Sequence, residues 1–144
     1  MEQTTNRKKR IGTIIGVSIG LISMILVQQI FFKTPSFDKL MMQTASELNK
    51  TCPVMIDRET RLDNAIALPY NVFQYNYTLV NMVKDSINSQ DLQNYLEPIM
   101  INTTRTNPGL KIFRDHKTTM AYSYKDKNGV FVLKINITPD KYKE

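Results

Sequence analysis

The spacing of apolar residues divides the chain into stretches of different character. Residues 11–32, IGTIIGVSIGLISMILVQQIFF, carry no formal charge and are polar only at Thr13, Ser18, Ser23, Gln28 and Gln29. At ~1.5 Å per residue, a helix of this length reaches across a hydrocarbon core of ~30 Å. From Ser36 the pattern changes. Phe37, Leu40, Met41, Thr44, Ala45 and Leu48 recur at helical spacing, while Lys39, Gln43 and Glu47 fall on the other side. With Ser36 as N-cap and Cys52-Pro53 as the stop, this predicts an amphipathic helix ending near Asn49 or Lys50.

Beyond residue 60 the period shortens to two. RLDNAIAL is followed by a turn at LPYN and then by VFQYNYTLV, in which Phe73, Tyr75, Tyr77 and Leu79 alternate with Gln74, Asn76 and Thr78. That alternation is the mark of a half-buried strand, and Pro69-Tyr70-Asn71 predicts a hairpin. A second helix follows, capped by Ser89, with Leu92, Tyr95, Leu96 and Ile99 on its inner face and a stop near Asn107-Pro108-Gly109. A helical turn is predicted in LKIFRDH. TTMAYSYK and VFVLKINIT then flank Lys127-Asn128-Gly129, and Asn-Gly is a strong hairpin signal. The order αββ-αββ predicts an α+β domain with a four-stranded, mostly antiparallel sheet, helices on one face and a partly wet second face.

Charge gives this arrangement a direction. Of the net +6, half comes from residues 1–10, where Arg7, Lys8, Lys9 and Arg10 outweigh Glu2. The positive-inside rule then predicts a cytoplasmic basic tail (1–10), an uncleaved transmembrane signal anchor (11–32) and an exported α+β domain (33–144). Gly12, Gly16 and Gly20 share one face of the anchor and are candidates for helix packing in the membrane. The remaining charge is spread over the exported part without a basic stripe, which argues against nucleic-acid binding. One cysteine (Cys52) and one histidine (His116, in the charged run RDHK) assemble neither a disulfide nor a Cys/His zinc site, and no cofactor is expected.

The candidate chemistry lies in TCPVMIDRETRLD, where Asp57, Arg58, Glu59, Arg61 and Asp63 alternate in sign. Acid–base catalysis would need two of these carboxylates in different environments within one pocket. The favoured reading is structural: a connecting segment with Met55, Ile56 and Leu62 buried and Glu59 exposed. Asp57, Arg58, Arg61 and Asp63 remain candidates for a partner-binding surface. Tyr75, Tyr77, Tyr122 and Tyr124, all in predicted strands, would join it if they form an exposed aromatic face.

CPVMIDRETRLDNAIALPYNVFQYNYTLVN also resembles small membrane-anchored bacterial envelope proteins of uncharacterised function. Pro53, Met55, Asp57, Thr60, Leu62, Asp63, Tyr75, Tyr77, Thr78 and Leu79 carry the resemblance. It implies a bacterial inner-membrane protein with a periplasmic or extracellular domain, and it brings no catalytic residue. A further cysteine common in such domains is absent here. The expectation is a non-enzymatic, membrane-anchored interaction or assembly module of the bacterial envelope, with a protein partner or a second copy. Two alternatives stand beside it. One is an envelope hydrolase or transferase using the acidic segment 57–63. The other is a eukaryotic type II membrane glycoprotein, suggested by the sequons at Asn49, Asn76, Asn102 and Asn136.

Overall fold

Ser36 opens the described part of the chain, residues 36–143 of a computed structural model. Its side chain accepts the Lys39 N–H and starts helix α1, Phe37–Asn49. Met41 and Ala45, four residues apart, are the positions that α1 buries. The chain then forms β1 (Val54–Met55), β2 (Thr60–Leu68) and β3 (Val72–Leu79). Tyr70 and Asn71 both take positive φ, 62° and 59°, which gives the β2–β3 turn the twist that a two-residue hairpin loop needs.

A short 3-10 turn, Lys84–Ser86, leads to α2, Ser89–Thr106. Its cap is Asn88, whose side chain accepts the N–H groups of Gln90 and Asp91, so Ser89 is the first helical residue rather than the cap. Pro108–Leu110 forms a second 3-10 turn before α3, Lys111–Asp115. The chain ends with β4 (Thr119–Asp126), β5 (Phe131–Ile137) and α4 (Pro139–Tyr142). Buried Asp126 organises the β4–β5 turn. Its Oδ1 accepts from Asn128 N and Val130 N at 2.8 Å each, and its Oδ2 accepts from Lys84 N at 2.9 Å.

The strands lie in the order β1-β2-β3-β4-β5. Every neighbouring pair is antiparallel except β3–β4, which is parallel with α2 in the crossover. The sheet therefore has five strands, not the four expected from sequence. The extra strand, β1, holds two residues, too few for a period of two to show.

All the helices that contribute to the core pack on one face. Met41 and Ala45 of α1, Met100 of α2, Phe113 of α3 and Tyr142 of α4 form one buried cluster with Phe73, Leu79, Met120, Ile135 and Ile137. Alpha-1 crosses β2, where the inward residues are the small Ala65 and Ala67, while α2 lies against β5. The opposite face carries no helix. There Gln74 Nε2 donates to Asn76 Oδ1 (2.8 Å), and Asn76 Nδ2 donates to Asn64 Oδ1 (2.6 Å).

The expectation of a transmembrane element needs correction. Among the described residues no helix is long and apolar enough to cross a membrane. The proposed anchor at 11–32, with Gly12, Gly16 and Gly20, and the basic tail at 1–10 lie outside the described residues.

Candidate functional site

Because α1 and α2 sit over different strands, the sheet between them is only partly covered. Its floor is a run of four tyrosines. Tyr75 and Tyr77 of β3 lie directly beside Tyr122 and Tyr124 of the parallel β4, because the register pairs 75 with 122 and 77 with 124. The rings are stacked, with centroids 5.5 Å apart for Tyr75–Tyr122 and 5.1 Å for Tyr77–Tyr124. The tyrosines thus face the helices. They are not the exposed aromatic face entertained from sequence.

At the far end of the strands from the β2–β3 turn this floor opens into a cleft of about 540 Å³. One wall is the β1–β2 connection, Ile56 to Thr60. The other is α2, through Leu92, Tyr95 and Leu96. Leu79 and Met82 close the end, and the lining is mostly apolar. Tyr95 is 69% exposed and Ile56 56% exposed, although both border the cleft. Such contiguous apolar exposure is uncommon on a surface without a partner.

The polar groups of the cleft are few. The Tyr77 and Tyr124 side chains line the cleft, and their hydroxyls have no hydrogen-bond partner among the described residues. Burial pushes both pKa values up, aided at Tyr77 by Tyr124 and at Tyr124 by Tyr122 and then by the Asp57 carboxylate. They stay protonated and able both to donate and to accept. Asp57 sits on the rim, and its Oδ1 accepts from Glu59 N and Thr60 N, each at 2.7 Å. Those bonds, that from Glu59 foremost, hold its pKa below the usual carboxylate range. Asp57 is therefore the organiser of the turn, with Arg58 beside it.

Arg61 and Asp63 lie elsewhere. Arg61 and Asp63, two residues apart in β2, share the open face of the sheet, and a bulge between Leu62 and Asn64 interrupts the register there. Asp63 accepts from Thr78 Oγ1 (2.6 Å) and pairs with Arg61 (2.7 Å) and Lys125 (3.2 Å). Burial works against its ionisation, but the bonds from Thr78, Arg61 and Lys125 outweigh that and lower its pKa. The five charged residues thus divide between two faces, and Asp57 and Asp63 do not converge on one pocket. Among the described residues no cluster of His, Cys, Asp or Glu has the geometry of a metal site.

Two further expectations fail here. Leu62 is buried, but Met55 (49% exposed) and Ile56 are not, because β1 is an edge strand and the turn after it stands clear of the sheet. Sequence reading did not connect Leu92, Tyr95 and Leu96 with the tyrosines. The signal was Tyr95, an aromatic at a helix position read as inward that the fold leaves exposed.

The sequence profile of the family described as "Domain of unknown function (DUF8479)" matches residues 36–133. The chain belongs to that family. The match takes in α1, the cleft and the sheet as far as β5. No curated protein matches the sequence significantly.

Three solved structures share the fold of the DUF8479 domain. A Pseudomonas aeruginosa protein described as secreted superposes with a TM-score of 0.60 at 11% identity, over 74% of this chain and 92% of the other. The pilotin EpsS of the Vibrio vulnificus type 2 secretion system gives 0.58 at 9% identity, over 74% and 92%. The type II secretion pilotin AspS of Vibrio cholerae gives 0.54 at 13%, over 78% and 98%. At these identities the likeness is one of fold. It corrects the inner-membrane placement: the fold recurs in a protein described as secreted and in pilotins, and no described helix spans a membrane.

Proposed function

We propose that the domain is a non-enzymatic interaction module of the bacterial envelope, and that its cleft receives an amphipathic segment of a protein partner. The observation that carries this reading is the open apolar cleft between α2 and the β1–β2 connection, with a tyrosine floor and exposed Tyr95 and Ile56. Apolar side chains of the partner would enter between Leu92, Leu96 and Leu79. The Tyr77 and Tyr124 hydroxyls would meet polar groups of the partner's backbone, the use for which tyrosine is favoured at interfaces. The shared fold with two pilotins of type II secretion systems supports a role in assembly over a role in catalysis. Of the carboxylates in the acidic segment, Asp57 and Glu59 border the cleft and Asp63 lies on the open face, and Asp57 is already engaged by the Glu59 and Thr60 N–H groups of its own turn.

The test is photo-crosslinking in intact cells from a benzoylphenylalanine placed at Ile56, with the same probe at Asn136 on the open face as control. A partner should be captured from position 56 and not from 136. Capture should be lost when exposed Tyr95 is changed to Glu in a chain that still unfolds cooperatively. Identical products from both positions, or products insensitive to Tyr95→Glu, would remove the cleft reading.

A further inference from the structure

We infer that the opposite end of the domain, around the β2–β3 turn, is a docking surface for an anionic lipid bilayer. Tyr70 stands at the tip of that turn and is 98% exposed, so its ring contributes almost nothing to the packing of the fold. Met42 on α1 (57% exposed) and Ile112 on α3 are exposed large apolar residues of the elements on either side. Met42 and Tyr70 border one shallow hollow together with Asp38, Leu68 and Pro69.

These parts are tied together. Asn71 Nδ2 donates to the His116 carbonyl at 2.7 Å, and Asn71 Oδ1 accepts from Thr118 Oγ1 at 2.9 Å. The His116 ring stacks on Phe37 of α1, with centroids 3.9 Å apart. The turn, the start of α1 and the α3–β4 loop therefore present one surface rather than three independent ones.

Its charge selects the partner. Lys39, Lys111 and Lys117 stand against Asp38 and Asp115, with Lys111 paired to Asp115 (2.6 Å), while Arg114 is engaged by the Thr104 and Asn107 carbonyls. Lys39 and Lys117 remain exposed, Lys39 next in sequence to the Asp38 that lines the hollow and Lys117 between the His116 and Thr118 that Asn71 holds. A protruding tyrosine with apolar neighbours and a surplus of lysine suits the headgroup layer of an anionic membrane, where the ring sits at the polar–apolar boundary and the ammonium groups meet phosphates. The surface lies at the end of the strands away from the tyrosine-floored cleft, so both could be engaged at once. The inference does not depend on what the cleft binds.

The chain contains no tryptophan, which allows a direct test in the intact chain. Tyr70→Trp keeps an interfacial aromatic and adds a single reporter; Phe131→Trp, on an exposed residue at the other end of the sheet, is the control. With vesicles of phosphatidylglycerol and phosphatidylethanolamine, emission from position 70 should shift to the blue and be quenched by brominated phosphatidylglycerol. Position 131 should not respond, and phosphatidylcholine vesicles should leave both unchanged. Adding Lys39→Glu and Lys117→Glu to Tyr70→Trp should weaken the response about tenfold or more. An unresponsive position 70, an equal response at 131, or indifference to the lysine reversals would overturn the inference. A shift produced by soluble envelope extract without vesicles would overturn it in favour of a protein contact.

Discussion

Asn49, the last residue of α1, pairs with the backbone of Ala65 in β2 as a strand would. Its Nδ2 donates to the Ala65 carbonyl at 2.8 Å, and its Oδ1 accepts the Ala65 N–H at 2.7 Å. The reason lies in the sheet. β1 covers only Arg61 and Leu62, so beyond them β2 is an edge with unpaired backbone groups. Ala65 is fully buried, and without Asn49 its two groups would have neither strand nor water. Asn49→Ala should therefore cost about 1–3 kcal/mol in urea unfolding. A change within 0.5 kcal/mol, roughly the range of ordinary surface substitutions, would mean that water replaces the asparagine.

Three neighbours in the charged segment should behave differently. Leu62→Ala should cost about 2–5 kcal/mol, because Leu62 is buried. Met55→Ala and Glu59→Ala should each cost about 0.5 kcal/mol or less, since both residues are exposed. Chemical denaturation of the three variants checks this. A large loss at Met55 would imply that another molecule covers β1.

The parts legible in the sequence were those set by local rules. The Ser36 cap, the stop at Asn107-Pro108-Gly109 and the two turns at Tyr70-Asn71 and Asn128-Gly129 depend on residues within a few positions of one another. What was not legible depends on distant pairing. Nothing local in VFQYNYTL and TMAYSYKD says that they lie parallel, yet that pairing puts four tyrosines side by side. β1 exists only because β2 is there to receive it. The bulge between Leu62 and Asn64 is likewise a matter of register, and it decides that Asn64 joins the open face while Ala65 turns into the core. The cleft itself follows from where α2 rests, since Leu92 and Leu96 read equally well as ordinary core positions.

Asp63 gives a dependence on pH. Its pKa in the folded chain lies below its unfolded value, ~3.9. The stabilisation from Thr78, Arg61 and Lys125 is therefore complete above the unfolded pKa and is lost as the pH falls through the folded one. Asp57, Glu97, Asp115, Asp126 and Asp140 are lowered too and act in the same acid range, so wild type alone cannot separate them. Asp63→Asn can: its stability deficit relative to wild type should be largest near neutrality and should shrink as the pH drops below about 4. Urea midpoints at several pH values test this. A deficit that stays constant across the acid range would show that the Asp63 charge does not matter.

Tyr142 and Tyr124 make the final comparison, because one substitution should have opposite consequences at two buried rings. The Tyr142 hydroxyl donates to the Thr118 carbonyl at 2.8 Å within the core, and Thr118 is fully enclosed. Tyr142→Phe removes that donor and leaves a buried carbonyl without it, so a loss of about 1–3 kcal/mol is expected. The Tyr124 ring is equally buried, but it lines the cleft and its hydroxyl has no partner among the described residues. Tyr124→Phe keeps the stacking on Tyr77 and should change stability by about 0.5 kcal/mol or less. If the cleft receives a partner as proposed, the same Tyr124→Phe chain should show weaker crosslinking from Ile56, since the lost hydroxyl acts only in the complex. Equal destabilisation by the two substitutions would mean that the Tyr124 hydroxyl is already engaged within the fold. Unchanged stability with unchanged crosslinking would show that the partner makes no use of it.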